Sequence, residues 1–363
     1  MADDESYAST MSGTATIVIE MVIFICIILT TAIGNSLVCI SVIKFRHLRT
    51  NTNFILLSLA FTDLSMVIIM VLNAVTTVTR KWIFGEWGCQ AVASIGLSLS
   101  FISILHLCFL SVDRYIAIQK PFRYQFIITK RRVRNILLLI WLSVAVLTNI
   151  PLADFEFRAD TYGCAQGCAD RELISNKPSS PYIFFLVSVF VIIPFAIIFF
   201  SNIVVFRTAF RQARQLSREE RRLRESFADI CDEDETQQEK SRETHSMKRE
   251  IKSAQTFALV VGLFLCCYTP FYTAGTYRKI AGPGKVPSSV MLITMWIAFA
   301  NSFCNPIVYA LRYLPFREAF KTLTSCGRKG NYNCAYPPDS SWVRERQGTA
   351  LSALSNNSVQ WKK

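Results

Sequence analysis

Asp63 stands alone as a charge in the stretch between Arg49 and Arg80. A carboxylate set among apolar residues is costly unless it is hydrogen-bonded, protonated or paired with a cation. Ser103, Asn301, Ser302 and Asn305 lie at similar depth in their own apolar stretches and carry oxygen ligands. The set suits a cation or proton site, or a hydrogen-bonded structural group. A second constellation is Asp113-Arg114-Tyr115, at the end of another charge-free run, with Glu250 at the start of a later one. Glu250 offers Arg114 a second acidic partner, although an arginine at a helix end can also simply reach for water. No metal-ligand spacing and no nucleophile–base pair is present, and His47 and His106 stand apart. Enzymatic chemistry is therefore not expected.

Seven apolar windows must position these groups. They run between Glu20 and Lys44 (23 residues), Arg49 and Arg80 (30, broken by Asp63), and Glu86 and Asp113 (26). The rest lie between Arg134 and Asp154 (19), Lys177 and Arg207 (29), Lys252 and Arg278 (25), and Lys285 and Arg312 (26). About 20 apolar residues cross a bilayer as a helix. The 363 residues are 52% hydrophobic and 18% charged, with a mean hydropathy of +0.32, against about a quarter charged in soluble domains. The pattern predicts an all-α membrane protein, a seven-helix bundle with helices near 16–43, 51–78, 87–118, 132–153, 180–212, 246–277 and 287–311. It excludes a soluble enzyme, a disordered chain and a disulfide-stapled secreted module.

The net charge of +13 is distributed by side. The connections following windows one, three, five and seven hold 31 of the 39 Lys and Arg residues, and the others hold 8. Lys and Arg stay cytoplasmic, so the N-terminus is expected outside and the C-terminus inside. The basic face then suits membrane lipids and acidic protein surfaces rather than nucleic acid. With Asp3, Asp4 and Glu5 and no basic start, the first residues do not resemble a cleavable signal peptide.

The expected organisation is an outer N-terminus (1–15), a seven-helix body (16–326) with a third inner loop at about 213–245, and a disordered polar tail (327–363). After the seventh window, Phe316, Phe320 and Leu323 share one face of a short amphipathic helix on the membrane. Cys326 beyond it is a candidate for palmitoylation. Three of the 12 cysteines lie near the oxidising side. A disulfide from Cys89 would tie down the second outer loop; Cys168 is favoured as nearer the fifth window, with Cys164 the alternative.

The order of short motifs resembles the rhodopsin-like (class A) G-protein-coupled receptors over about residues 16–326. The matching residues are Gly34-Asn35-Ser36-Leu37-Val38, Leu59-Ala60-Phe61-Thr62-Asp63, Trp82-Ile83-Phe84-Gly85 before Cys89, Asp113-Arg114-Tyr115, Trp141 and Pro194. Phe264 to Pro270 and Asn305-Pro306-Ile307-Val308-Tyr309 complete the series. The resemblance implies a plasma-membrane receptor that passes an outside signal to heterotrimeric G proteins as the sixth helix swings outward. Receptor kinases and arrestins would be further partners, acting on serines and threonines of the third inner loop and tail. It implies no cofactor beyond an allosteric sodium ion at Asp63, Ser103, Asn301, Ser302 and Asn305. Arg114 would be held by Asp113 and Glu250 in the inactive state, and Ile104, Pro194 and Phe264 would form the packing switch. Two positions depart from the family: Tyr268 stands where tryptophan is usual, and Asn202 where a tyrosine usually meets Tyr309.

The motifs do not name a ligand. The family's monoamine receptors use an aspartate where this chain has Gly96, opsins a lysine where it has Phe299, and adenosine receptors an asparagine where it has Gly275. The resemblance places the pocket at Gly96, Ser100, Phe101, Leu186, Phe190, Tyr268, Phe271, Tyr272, Gly275, Met295, Trp296 and Phe299. With no counter-ion in that set, a small molecule or peptide other than a typical monoamine or retinal is expected. A seven-helix transporter or channel, and a largely constitutive receptor, are the alternatives; the absence of repeats and of further intramembrane charges weighs against transport.

Overall fold

The structure is a computed structural model and describes residues 2–79, 82–149, 185–227, 235–281 and 285–329. Nine α-helices are described: α1 (Ala2–Lys44), α2 (Asn51–Thr79), α3 (Gly85–Gln119), α4 (Pro121–Ile127), α5 (Lys130–Asn149), α6 (Ile193–Phe227), α7 (Glu235–Ala281), α8 (Ser288–Arg312) and α9 (Leu314–Lys329). Seven helices, α1, α2, α3, α5, α6, α7 and α8, are long and apolar enough to cross a membrane. In lipid a helix satisfies its own backbone, which is why the seven apolar windows become seven helices. α1 packs against α2 and α8, α3 against α2, α5 and α6, and α7 against α6 and α8. Residues 1–319 form one compact unit; the second unit begins at Phe320 and is described only through the end of α9.

Several helices outrun their apolar windows. α6 continues to Phe227 and α7 begins at Glu235, where a loop was expected over about 213–245. The reason is local: between Phe195 and Lys252 the chain contains neither Gly nor Pro, and its polar residues are mostly Arg, Glu, Gln and Lys, all good helix formers. α1 likewise starts at Ala2 rather than near residue 16. The tail expected from 327 lies beyond the described residues from 330 onward.

Prolines shape the rest. Among the described residues, a π turn runs over Ser188–Ile192 directly before α6. Pro194 lacks the N–H that would bond the Phe190 carbonyl, and a wider turn absorbs the loss. Pro270 and Pro306 sit inside α7 and α8. Ile104, Leu107, Leu110 and Phe264 are fully enclosed at the centre of the bundle.

Candidate functional site

At the C-terminal end of α3, Asp113 is fully buried and Arg114 nearly so. Arg114 donates to Asp113 Oδ2 through Nη2 at 2.7 Å and through Nε at 3.0 Å. Thr52, at the start of α2, joins them: its hydroxyl donates to Asp113 Oδ2 at 2.9 Å and accepts from Arg114 Nη2. Tyr124 of α4 completes the cluster, donating its hydroxyl to Asp113 Oδ1 at 2.8 Å. Burial, then the negative charge of Asp113, pushes the Tyr124 phenol up to about 12, which keeps it a donor. The structure brings Asp113 and Arg114 together as a buried ion pair, joined by Thr52 and Tyr124. The Glu250 side chain lies outside the described residues.

Tyr115 turns away from this cluster and packs beside Ile118 and Val205, its ring 6.4 Å from Phe200. Asn202 of α6 donates to Ser111 Oγ at 3.3 Å and to its own Ile198 carbonyl at 2.8 Å. Tyr309 is 1% exposed, lies 5.8 Å from the Phe316 ring, and its buried hydroxyl has no hydrogen-bond partner. The structure thus does not bring Asn202 and Tyr309 into a hydrogen bond.

At mid-bundle, Asp63 is 1% exposed and accepts from Asn305 Nδ2 at 3.0 Å, with Ser302 also facing the carboxylate. Ser103 and Asn301 are buried as well. Neither Oδ1 nor Nδ2 of Asn301 has a partner. A buried amide with both ends unmade is costly; a cation held among these oxygens would take up Oδ1, and a water would take up either end. The donor set, one carboxylate with hydroxyl and amide oxygens, fits a hard monovalent cation. Nearby, His106 donates Nδ1–H to the Ile102 carbonyl, so Nε2 accepts from Ser58, which in turn accepts from Trp141 Nε1. This histidine is a neutral core residue joining α2, α3 and α5.

Above it, Phe264 stacks on Tyr268 at 4.5 Å, Tyr268 on Tyr272 at 5.9 Å, and Phe195 meets Phe264 edge-on at 6.1 Å. Pro194 is buried at the same side. Ser100 faces Tyr268. Phe101 stacks on Phe190 at 5.2 Å, Phe271 lies edge-on to Tyr272, and Leu186 and Gly275 are buried. Met295, Trp296 and Phe299 separate from this group: they pack with Phe24 of α1 and Met70 of α2. The expected pocket therefore divides into a part among α3, α6 and α7 and a part among α1, α2 and α8. Gly96 touches the second part, since a Cβ there would meet Ile69 at an ordinary 3.6 Å. Phe24 gave no distinguishing sign in a helix apolar on every side, and Thr52 and Tyr124 are common polar residues without a local signature.

Cys89 is disulfide-bonded; Cys164 and Cys168 lie outside the described residues, so the choice between them stays open. Cys326 falls within α9, but its side chain is likewise outside them.

Residues 34–309 match the family described as "7 transmembrane receptor (rhodopsin family)". Among similar proteins, the octopamine receptor beta-2R of Chilo suppressalis is 31% identical over 84% of this chain and 79% of its own length. The D(5)-like dopamine receptor of Takifugu rubripes is 33% identical over 83% and 66%, and the octopamine receptor beta-2R of Drosophila melanogaster 32% over 85% and 61%. The chain thus spans less than two thirds of the length of those last two. A latched arginine under seven apolar helices and a family match running from Gly34 to Tyr309 lead to one assignment: the chain belongs to the rhodopsin family of seven-transmembrane receptors.

Proposed function

We propose that this receptor passes an extracellular ligand signal to heterotrimeric G proteins by outward movement of α7. The observation that carries the reading is the tie between Arg114 and Asp113 at the cytoplasmic end, reinforced by Thr52 and Tyr124. A ligand that binds better to a conformation with this cluster open shifts the population toward it and frees Arg114 for a partner. α4 supports the same reading, since Phe122 beside the cluster is 93% exposed on the face a partner would meet.

The remaining assignments follow. The receptor sits in the plasma membrane with its N-terminus outside. Sodium binds at Asp63 with Ser103, Asn301, Ser302 and Asn305 and favours the latched state. Ile104, Pro194, Phe264, Tyr268 and Pro270 link the outer pocket to the latch. Cys89 pairs with Cys168, or alternatively Cys164, and Cys326 takes a palmitate. Membrane lipids, a receptor kinase and arrestin act at the cytoplasmic face. The ligand is a small molecule or peptide that is not held as monoamine receptors hold theirs, because Gly96 offers no carboxylate on α3, nor as a retinal, because α8 has no lysine.

The test is G-protein activation in cells across a panel of Gα subtypes. Signalling by the wild type that falls away in a surface-expressed Arg114→Ala variant is the expected result. Equal signalling by both would overturn the coupling.

A further inference from the structure

Six of the described cysteines are free, and two of them meet. Cys267 of α7, 9% exposed, donates its S–H to the sulfur of Cys304, which is half-buried on α8. Neither thiol belongs to the Asp113 cluster or to the hydrogen bonds of Asp63. Cys266, next in sequence, is exposed.

The pair sits where both helices are weakened. Pro270 has no N–H for the Cys266 carbonyl, and Pro306 has none for the Ser302 carbonyl. α7 and α8 pack against each other. Beside the pair, Tyr268 of α7 stacks on Phe264, and Asn305 of α8 donates to Asp63. A covalent tie at this height would join the helix proposed to move to the helix that carries Asn301, Ser302 and Asn305.

We infer that Cys267 and Cys304 form a reversible disulfide, made by hydrogen peroxide, that ties α7 to α8 and favours the conformation in which Arg114 is paired with Asp113. Cys304 attacks one peroxide oxygen as its thiolate, and the O–O bond breaks. The other oxygen leaves as water with the Cys304 proton, and Cys304 becomes a sulfenic acid. Cys267 then attacks the Cys304 sulfur. The S–S bond forms, and the sulfenic hydroxyl leaves as a second water with the Cys267 proton. Two thiols are thus oxidised to one disulfide while one peroxide is reduced to two waters. The bond needs the two sulfurs in contact, as they are here, so it stabilises this arrangement over one in which α7 has moved. The effect on signalling rests on the receptor reading; the disulfide does not.

The test exposes the purified full-length receptor to hydrogen peroxide and caps the remaining thiols with N-ethylmaleimide. Mass spectrometry of the unreduced digest should then find peptides joined through Cys267 and Cys304, and dithiothreitol should separate them. In a second arm the peroxide is removed with catalase before G protein is added. Nucleotide exchange driven by the treated wild type should fall several-fold. Cys304→Ser and Cys267→Ala should be insensitive to peroxide, and either decides the matter where the other does not fold. Cys266→Ser should respond as the wild type does. No joined peptide in the wild type overturns the site, and a joined receptor with undiminished exchange overturns the restraint. Cross-linking needs no G protein. A joined receptor without Arg114-dependent exchange therefore sinks the coupling alone, and Arg114-dependent exchange by a receptor that does not cross-link sinks the thiol pair alone.

Discussion

Asn35 of α1 donates its Nδ2 to the main-chain carbonyl of Ser302 in α8, at 2.9 Å across 267 residues. That carbonyl is the one Pro306, four residues on, cannot bond, because proline has no N–H. The preceding residue, Gly34, makes the approach possible: a Cβ on it would lie 2.8 Å from the Pro306 Cβ. The adjacent Gly-Asn pair thus repairs, from another helix, the break that proline leaves beside the Asp63 cluster.

Gly34→Ala should force α1 away from α8. Overpacking of this kind costs about 1–3 kcal/mol, read as a lower melting temperature and reduced surface expression. Gly96→Ala, whose Cβ meets only Ile69 at 3.6 Å, serves as the tolerated comparison. Equal effects of the two substitutions would count against the close packing.

Thr52→Val and Tyr124→Phe each remove one hydrogen bond to the Asp113 carboxylate. Such bonds to charged groups are worth about 1.5–3 kcal/mol. Loosening the latch should raise basal nucleotide exchange on the coupled G protein, by about tenfold or more for each variant. Basal rates at the wild-type level would show that neither residue restrains Arg114.

The raised Tyr124 phenol has a consequence at high pH. Its ordinary value is 10 and its folded value about 12, so the folded state binds this proton more tightly than the unfolded chain. Its contribution is complete below pH 10 and is lost as the pH rises from 10 toward about 12. The melting temperature of the wild type should therefore fall more steeply over that interval than that of Tyr124→Phe. Parallel curves would place the phenol outside the cluster.

Asn202→Tyr should strengthen the active state. The Tyr309 hydroxyl is buried without a partner, while Asn202 bonds to Ser111. A tyrosine on α6 would offer Tyr309 a hydroxyl when the helices rearrange and would release the tie to α3. Basal or ligand-driven signalling should rise; no change in either would defeat the idea.

Sodium can be tested by its removal. Replacing NaCl by an equal concentration of N-methylglucamine chloride should lower the melting temperature of the wild type. It should leave Asp63→Asn unchanged, since the variant lacks the carboxylate proposed to anchor the ion. The same dependence in both proteins would exclude Asp63 as the anchor.

The seven spans were legible in one dimension because the requirement that sets them is one-dimensional. A lipid-crossing helix needs a run of apolar residues and satisfies its backbone within that run. The latch was half legible for a similar reason: Asp113 and Arg114 are neighbours in sequence, so their pairing at 2.7 Å is a local event. The ends of α6 and α7 lie beyond their apolar windows, since helix propensity continues where apolarity stops.

The amino-acid sequence by itself determined the number of spans, the basic face and the positions of Asp63 and Asp113. Which side of each span faces inward was decided by the tertiary structure alone. α1 is apolar on nearly every side, since lipid and core ask for the same residues, so periodicity carries little information there. Glu20 reads in the sequence as the boundary of a window, and only the packing of α1 against α2 and α8 makes it a buried carboxylate. Thr52 and Tyr124 stand 61 and 11 residues from Asp113. They meet it because the fold brings the start of α2, the end of α3 and α4 to one point.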